Sequence, residues 1–384
     1  MPIANLTASP LILPAPVLGA PTAGFYSILS AGPLVTPPPV IGRPKIMPFF
    51  KWPIRVNWER AVTEEVSYRT EVIVSRDGTE QRIAQRVNPR YRFQFSVRAG
   101  RDHFAAMERT LAKRQAHNYR FDHPRATILA DRGLPGAAGF IGRFDRESTV
   151  KARTDRVLEM DVSVLVNPGI YGLDYMTGYS HPPADVFHNG LEVLTLRPNW
   201  AENVQITFGQ FTEILDRMRG VNDFNTPRRF TDRMIQCGLM IRNEAQENRL
   251  RGLFERMRGQ QGEFYMADPL SGQIAPTAAI SAGSTFITVP GRSFYDRFQS
   301  EPIYRNVAIR TTGGMIYRRL TSITLVSGDS RINFASSLPE ILLADLVGVQ
   351  WLLKVRFATD TLLFSWDTDA VARVTLNLRA LEDA

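Results

Sequence analysis

Three acidic residues near the end of the chain, Asp360, Asp367 and Asp369, lie close to Trp366 in the sequence. Carboxylate oxygens are the ligands that calcium prefers, and an aromatic ring can serve as a platform for a sugar, so this pattern could form a calcium or carbohydrate site. Acids in a loop beside a core tryptophan would give the same pattern at a strand hairpin. That interpretation needs no ligand, and we favour it.

Two Asp-Pro segments, Asp122-His123-Pro124 and Ala267-Asp268-Pro269, contain groups suited to acid or base chemistry. Asp before Pro usually marks a turn, and its occurrence twice favours a structural role. Asp131 with Asp145 or Glu159 could act as the carboxylate pair of a glycosidase, but nothing in the sequence brings these acids together.

The single cysteine, Cys237, excludes an intramolecular disulfide and a cysteine-based zinc site. It lies in an apolar segment without a partner histidine motif, which predicts a buried, inert thiol. The five histidines are scattered, and the sequence contains no Walker A, G-x-S-x-G or H-E-x-x-H motif. We therefore predict no catalytic residue, no metal site and no cofactor, and a protein that is not an enzyme.

Four arginines gather around the first predicted hairpin: Arg82, Arg86, Arg90 and Arg92. Their guanidinium groups could pair with carboxylates on adjacent subunits, or they could line a solvated strand face. The sequence leaves both interpretations open. Our candidates for a subunit interface are these four arginines and four apolar residues near the N-terminus, namely Leu11, Ile12, Phe25 and Tyr26.

Composition is that of a globular chain. At 384 residues, 44% hydrophobic and 22% charged, two or three domains with sizeable cores are expected. The net charge is +8, but the 41 arginines are spread along the chain and mixed with acids, which weighs against nucleic-acid binding and suits protein interfaces. No segment is apolar enough for a membrane helix, and no basic stretch begins a signal peptide, so we expect synthesis in the cytoplasm.

The two halves of the chain resemble each other. Trp58 begins W-E-R-A-V-T-E-E-V-S-Y-R-T-E-V and Trp200 begins W-A-E-N-V-Q-I-T-F-G-Q-F-T-E-I, at an offset of 200 − 58 = 142. The same offset pairs Leu111 with Leu253. After a three-residue insertion, Tyr119 to Pro124 aligns with Phe264 to Pro269. We predict a tandem duplication.

Each copy has the pattern of strands followed by one helix. In the first copy, strands are predicted at 65–74, 83–87, 91–97, 119–121 and 158–166, with a hairpin turn at Asp77-Gly78. Phe104, Met107 and Leu111 recur at helical spacing, and Asp102 is the predicted N-cap of that helix.

In the second copy, strands are predicted at 205–215, 234–241, 263–266 and 372–378, with Asn243 capping the helix. Short strands within 284–334, separated by glycines, indicate a small inserted β-module. The predicted fold class is α+β, mostly β: tandem duplicated sandwich-like or barrel-like domains with one helix each, an inserted β-module and an extended Pro-rich N-terminal arm.

Four segments follow from these patterns. Residues 1–53 hold 12 of the 25 prolines, and no acid precedes Glu59, so we predict an extended arm that docks on another surface through its apolar residues. Residues 54–170 form the first β-rich domain and 171–198 a connector. Residues 199–384 form the second domain, with the inserted module at about 276–340.

Two stretches resemble tail-tip proteins of long-tailed bacteriophages. One runs from Thr70-Glu71-Val72 through Asp77-Gly78-Thr79-Glu80-Gln81-Arg82 to Asn88-Pro89-Arg90. The other comprises the C-terminal segments 355–360, 364–367 and 371–376. The resemblance covers about half of the chain, its motifs are structural, and the second copy lacks the Gly-x-Glu-Gln-Arg run.

The resemblance implies a virion structural protein in a ring that joins the sixfold tail tube to a threefold hub or fibre. Three chains with two equivalent domains each would present six similar surfaces, so a homotrimer is favoured over a hexamer. The implied partners are tube, hub, tape-measure and fibre proteins, without nucleic acid or membrane. The alternative is a host-recognition module that binds carbohydrate through exposed aromatic residues of the insert, such as Phe294, Tyr295 and Tyr304.

Overall fold

The computed structural model describes residues 50–382 apart from 53, 114–117, 132–138, 147, 168–183, 185, 217–221, 226–230, 271–273, 275, 277, 300 and 302. Most of the predicted N-terminal arm and half of the connector at 171–198 therefore lie outside the described residues. The described chain is mostly β, as predicted, with a large sheet whose strand pairs are antiparallel except for two short parallel ones.

The described residues of the first half form seven strands and two helices. They are β1 (Phe50–Lys51), β2 (Val62–Val74), β3 (Glu80–Gly100), α1 (Arg101–Lys113), β4 (Tyr119–Phe121), α2 (Ala126–Asp131), β5 (Phe140–Phe144), β6 (Val150–Ala152) and β7 (Val157–Val166). The second half begins with β8 (Phe187–His188), β9 (Leu191–Leu194), β10 (Gln205–Gly209), β11 (Glu213–Asp216), β12 (Asn222–Asn225), β13 (Asp232–Ile241), α3 (Glu244–Met257) and β14 (Phe264–Ala267). It ends with β15 (Phe286–Val289), α4 (Ser293–Phe298), β16 (Asn306–Thr311), β17 (Gly314–Val326), β18 (Asp329–Phe334), β19 (Leu346–Phe357), β20 (Thr361–Trp366) and β21 (Ala372–Ala380).

Strands β2 and β3 form a long hairpin, which we call the first ribbon (residues 62–100). Its turn is the predicted Asp77-Gly78 pair: Gly78 has a φ of 95°, and the Asp77 carboxylate accepts a hydrogen bond from the Thr79 amide at 3.0 Å. The segments predicted as two strands, 83–87 and 91–97, are one strand. Pro89 lies opposite Tyr68, where the pairing of β2 and β3 is irregular. Proline has no backbone N–H to donate, and the ladder requires none at this point, so the strand continues through it.

The longer helix of each half, α1 or α3, follows a long central strand. In α3, Asn243 is the N-cap as predicted, and its side-chain oxygen accepts from the Gln246 amide at 3.0 Å. The prediction for α1 needs correction, since the helix begins at Arg101, directly after β3, and Asp102 is its second residue. An acid there still interacts favourably with the positive end of the helix dipole.

In the second half, the strand predicted at 205–215 is divided into β10 and β11, and β11 forms a separate hairpin with β12. The inserted strands are present where glycine spacing predicts them. They pair in the order β15-β18-β17-β16-β19, so the module joins the rest of the sheet through β19.

Eight strands form one continuous antiparallel ladder across both halves, which we call the long sheet. Their order is β10-β13-β21-β20-β2-β3-β7-β6. The junction between the halves is the pair β20 and β2, where Trp366 is opposite Val62 and Leu362 is opposite Val66. All four of these side chains are buried.

The two halves repeat the same strand register. Gln94 is opposite Thr63 in the first half and Gln236 is opposite Gln205 in the second, so both partners shift by 142, as in 236 − 94. After the helix, Tyr119 corresponds to Phe264, at 264 − 119 = 145. The pairing therefore follows the offset of the sequence repeat, including its three-residue insertion.

The remaining strands match in the same way. Gly142 and Val355 hold equivalent positions, with 355 − 142 = 213. Gln94 is opposite Ser163 in the first half, and its counterpart Gln236 is opposite Asn377 in the second. Ser163 and Asn377 are therefore equivalent, at an offset of 377 − 163 = 214. The register repetition is a property of the structure, whereas its origin by duplication stays a prediction.

Contacts within Phe49–Ala384 make this part of the chain one compact unit, and buried apolar side chains of both halves form one connected core. The domain boundaries drawn from the sequence stay predictions. Among the described residues, no helix has the length and apolar character needed to cross a membrane.

Candidate functional site

The arginines of the first ribbon are the candidate interface residues that the structure describes. Arg82 lies at the start of β3 and donates to the Gln261 carbonyl oxygen at 3.0 Å, and it forms an ion pair with Glu263. Both partners follow α3 in the second half. Arg82 therefore fastens the ribbon to the other half of its own chain.

Glu80, two residues earlier, strengthens the same junction. Its carboxylate accepts two hydrogen bonds from Arg356 of β19, at 2.7 and 2.8 Å, and pairs with Arg379 of β21 at 2.8 Å. Burial raises the pKa of this carboxyl, but the neighbouring guanidinium groups outweigh burial and hold the pKa below its usual range.

Arg92 also has its ion-pair partners within the chain. It pairs with Glu65 on the adjacent strand at 2.8 Å and with Asp145 after β5 at 2.6 Å. Of the four arginines, Arg82 and Arg92 thus have carboxylate partners in their own subunit. The prediction that they pair across subunits has Arg86 and Arg90 as its remaining candidates.

Arg86 and Arg90 lie together with Arg69 on the outer part of the ribbon. Arg86 is opposite Arg69, and it donates to the Ser67 carbonyl oxygen at 3.4 Å. Partial burial and the two neighbouring positive charges lower the pKa of Arg86, against a smaller opposing effect of Asp360. Three guanidinium groups so close together favour an acidic surface as a partner.

A buried ion-pair cluster lies at the junction of the two halves, and we call it the junction quartet: Glu64, Arg125, Glu247 and Arg251. Arg251 donates to both oxygens of Glu64, at 2.9 and 3.1 Å, and Arg125 donates to both oxygens of Glu247 at 2.9 Å. A further bond of 3.2 Å joins Arg251 to Glu247. Each half supplies one acid and one base.

The surroundings of the quartet complete its bonding. The Trp366 indole N–H donates to Glu64 at 3.2 Å, and the Arg125 guanidinium lies 3.5 Å from the centre of the Trp366 ring. Burial raises the pKa of Glu247, but the effects of Arg125 and Arg251 outweigh burial. The pKa of this carboxyl therefore lies below its usual range. Two negative and two positive charges balance in a site without solvent access.

Sequence reasoning missed the quartet, although part of its signal was present. Glu64 stands between Val62 and Val66 on one face of a strand, and an acid among apolar residues on the inward face indicates a buried ionic partner. The partner itself was not predictable, because Arg251 is 187 residues away and one of 41 arginines.

The acids around Trp366 do not converge on one point. Asp360 accepts hydrogen bonds from the backbone amides of Thr70 and Gln260, the latter at 2.9 Å. Asp367 forms two bonds with Arg373, at 2.6 and 2.8 Å. The structural interpretation favoured from the sequence agrees with these contacts. In the described part of the chain, no three His, Cys, Asp or Glu side chains form a group suited to a metal ion.

The two Asp-Pro segments form turns. His123 is buried, its Nδ1 accepts from the Arg125 amide at 3.0 Å, and its ring lies edge-on to Phe93. Burial lowers the pKa of His123 to about 3, so the ring is neutral at physiological pH. Asp268 pairs with the buried Arg233 at 2.6 Å.

The other candidate groups have structural surroundings. Asp145 pairs with Arg92, and Glu159 lies 3.5 Å from Arg60, so each acid is engaged by a different arginine. The side chain of Asp131 lies outside the described residues. Cys237 is fully buried, and burial raises the pKa of its thiol to about 12, as expected for an inert cysteine.

The aromatic residues proposed for a sugar site are half-buried, which corrects the expectation that they are exposed. Phe294 stacks on Trp351 at 5.6 Å, and Tyr304 lies 4.9 Å from the same ring. Tyr295 also packs against the core. Phe294 and Tyr295 belong to helix α4, so this packing attaches the helix to the core.

The apolar interface candidates Leu11, Ile12, Phe25 and Tyr26 lie outside the described residues. A scan against models of protein families finds no match to this chain, and a search of the curated proteins finds no relative.

Proposed function

We propose that this chain is a structural protein of the tail tip of a long-tailed bacteriophage. It forms a ring that joins the tail tube to the central hub or fibre. The observation that carries the proposal is the repetition of one strand register in two halves of a single chain. A chain with two equivalent halves can occupy two equivalent places in a sixfold ring, so three chains fill it.

Two further features support the proposal. The resemblance to tail-tip proteins rests on the ribbon motif from Thr70 to Arg90 and on the C-terminal strands, which meet in the structure as β2, β3, β20 and β21 of the long sheet. The junction quartet and the bonds of Glu80 and Arg82 fix the two halves to each other. A fixed angle between the halves is what a ring subunit needs.

The partners we propose are other copies of the chain, a homotrimer being favoured over a hexamer, and the tube, hub, tape-measure and fibre proteins of the tail. The chain would act in the virion tail tip after synthesis in the host cytoplasm. The alternative, a carbohydrate-binding module, loses its support from Phe294 and Tyr304, because both rings pack on Trp351.

Antibody labelling of tailed particles from the strain that encodes the chain tests the proposal. Antibodies raised against the purified protein should mark the distal end of the tail, and mass spectrometry should find the chain in purified particles. Antibodies to an unrelated cytoplasmic protein provide the control. Absence of the chain from purified, infectious particles would contradict the proposed function.

A further inference from the structure

The long sheet has two outer strands, β10 and β6. Among the described residues, β10 pairs with β13 alone and β6 pairs with β7 alone. An unpaired strand edge presents backbone N–H and C=O groups to any strand that can reach it. Such edges mark the two ends of the sheet as candidates for pairing.

The junction inside the chain shows how the two halves pair. There β20 of the second half lies antiparallel to β2 of the first, with Ser365 opposite Thr63 and Phe364 opposite Glu64. This junction is the internal example of a contact between a second half and a first half.

The register repetition makes β6 the counterpart of β20. Lys151 is opposite Glu159 in β7, and Ser365 is opposite Arg373 in β21. The differences are equal, at 365 − 151 = 214 and 373 − 159 = 214. In the same way β10 is the counterpart of β2, with 205 − 63 = 142 for Gln205 and Thr63. The two free edge strands, β10 and β6, are therefore the counterparts of the two strands that pair at the internal junction.

Burial agrees with this correspondence. Val66 and Phe364 are completely buried in the internal junction. Their counterparts at the free edges, Phe208 and Val150, are 63% and 39% exposed. Trp200, the counterpart of Trp58, is 64% exposed. Large apolar side chains exposed at both edges indicate surfaces that are covered in an assembly.

We propose that β6 of one copy pairs antiparallel with β10 of a second copy, with Lys151 opposite Gln205 and Val150 opposite Ile206. This register follows from the pair of Thr63 and Ser365 at the internal junction, because 63 + 142 = 205 and 365 − 214 = 151. The proposal rests on the proposed function, since it specifies the contact through which the ring forms. The occupant of each edge is a second copy because the chain already contains the matching strand.

The contact between copies differs chemically from the internal junction. At the offsets of 142 and 145, Glu64 of the quartet corresponds to Ile206, and Arg125 corresponds to Leu270, which is 48% exposed. Glu247 corresponds to Ala105. Apolar residues replace both acids and one base, and the fourth position keeps a base, because Arg251 corresponds to Arg109, which is exposed in the single chain. The contact between copies therefore does not repeat the buried cluster of four charges, whose desolvation would be costly.

The contact is heterologous, because each copy offers β6 at one end and β10 at the other. Repetition of one heterologous contact gives a closed ring when the rotation between copies closes, and a filament when it does not. If the contact between copies repeats the geometry of the internal junction, successive halves are related by one rotation. A trimer then contains six such junctions.

Cysteine cross-linking of the full-length protein tests the register. A chain carrying Lys151→Cys and Gln205→Cys should form disulfide-linked dimers and trimers under mild oxidation, because directly opposed residues have Cβ atoms about 4.5–5.5 Å apart. The matched control carries Lys151→Cys and Ile206→Cys. Moving one residue along a strand turns the side chain to the other face, so this control should cross-link several-fold less. Cys237 is buried and does not compete.

Single variants separate this contact from others. Lys151→Cys alone and Gln205→Cys alone should remain uncross-linked, whereas a mixture of the two should give dimers only. A symmetric contact would instead cross-link one of the single variants. Equal cross-linking of the two double variants overturns the proposal, as does a wild-type chain that light scattering shows to be monomeric at high concentration.

The outcomes also separate this proposal from the proposed function. A trimer near 130 kDa, three times 43.2 kDa, without register-specific cross-links would reject the β6–β10 contact and leave the tail-tip function standing. Cross-links of the expected register in a protein absent from virions would reject the function and leave the contact. Occupation of the β10 edge by the chain's own N-terminal residues 1–49 would leave Gln205→Cys without a cross-link to Lys151→Cys, and it would overturn the proposal.

Discussion

Arg251 donates hydrogen bonds to both carboxylate oxygens of Glu64, at 2.9 and 3.1 Å, although the two residues are 187 positions apart in the sequence. Arg251 lies on α3 of the second half and Glu64 on β2 of the first, and both side chains are buried. The pair therefore joins the two halves and fixes their relative position in the chain.

Removal of Arg251 should destabilise the protein strongly. Arg251→Met removes both guanidinium bonds from the buried carboxylate of Glu64, so we expect a loss of about 3–5 kcal/mol in the free energy of unfolding. Urea denaturation measures the loss. The control is Arg292→Met, which breaks an exposed pair between the residue before α4 and Asp296 of α4, and which should cost less than about 1 kcal/mol.

A double variant distinguishes the loss of an attractive interaction from the cost of an unpaired buried charge. Glu64→Gln with Arg251→Met keeps an acceptor for Trp366 but removes the lone negative charge. It should therefore be more stable than Arg251→Met alone. If the double variant is less stable than the single one, the cost lies in packing and not in the unpaired carboxylate.

The stability of the protein should fall between pH 7.5 and 5 because of His123. The folded state holds this ring neutral with a pKa of about 3, whereas the unfolded chain has its ordinary value of about 6.5, so the unfolded state binds more protons in this window. Protonation thus favours unfolding as the pH falls. The expected contribution of this residue at pH 5 is a loss of about 2 kcal/mol.

His123→Asn provides the comparison, because its side-chain oxygen can accept from the Arg125 amide as Nδ1 does. The variant should show a flatter dependence of the urea midpoint on pH across the same window. The charges that face the ring are Glu64, Arg125, Arg251 and Glu247. An unchanged slope would exclude His123 as the cause.

Sequence reasoning predicted most elements of this fold because their signals are local. The hairpin turn at Asp77-Gly78, the cap at Asn243 and the strand predicted at 158–166 each depend on a few adjacent residues. The register of the long sheet could also be derived in part, because the repeat carries the offset of 142 from one half to the other.

The errors arose where distant residues decide the outcome. Asp102 has the residue type of a cap, but β3 continues directly into α1 and leaves no separate cap position. Phe294 and Tyr304 have the composition of a binding surface, but Trp351, about fifty residues away, covers them. For Arg82 the sequence left an interface and a solvated strand face open, and the structure adds partners that neither interpretation named, Gln261 and Glu263 of the same chain.

Charge reversal should separate two of the ribbon arginines. Arg82→Glu places a negative charge beside Glu80 and Glu263, so it should lower the free energy of unfolding by about 1–3 kcal/mol. Arg90→Glu changes an exposed side chain and should stay within about 0.5 kcal/mol of wild type. Thermal or urea denaturation of both variants decides whether Arg82 is structural. Equal stability of the two would contradict its role in the junction.

The single thiol should be unreactive in the folded protein. With the pKa of Cys237 raised to about 12, only ~10⁻⁴ of the thiol is ionised at pH 8, and its burial excludes reagents as well. A disulfide reagent should react only after urea unfolds the chain, and the reaction then reports unfolding. Rapid reaction in native buffer would show that β13 opens readily.

Association of the chain should depend on Phe208, the exposed counterpart of the buried Val66. Phe208→Asp would place a charge where the proposed contact buries an apolar ring, so we expect the association to weaken by roughly 100-fold, equivalent to about 3 kcal/mol. The isolated subunit should keep its stability, because the Phe208 side chain contributes little burial there.

Sedimentation velocity over a dilution series measures the association. Leu343→Asp is the matched control, since Leu343 is also a large exposed apolar residue but belongs to neither β6 nor β10. If the two variants associate alike, the β10 edge is not the contact, and if only Phe208→Asp dissociates, the free end of the long sheet is where a second copy binds.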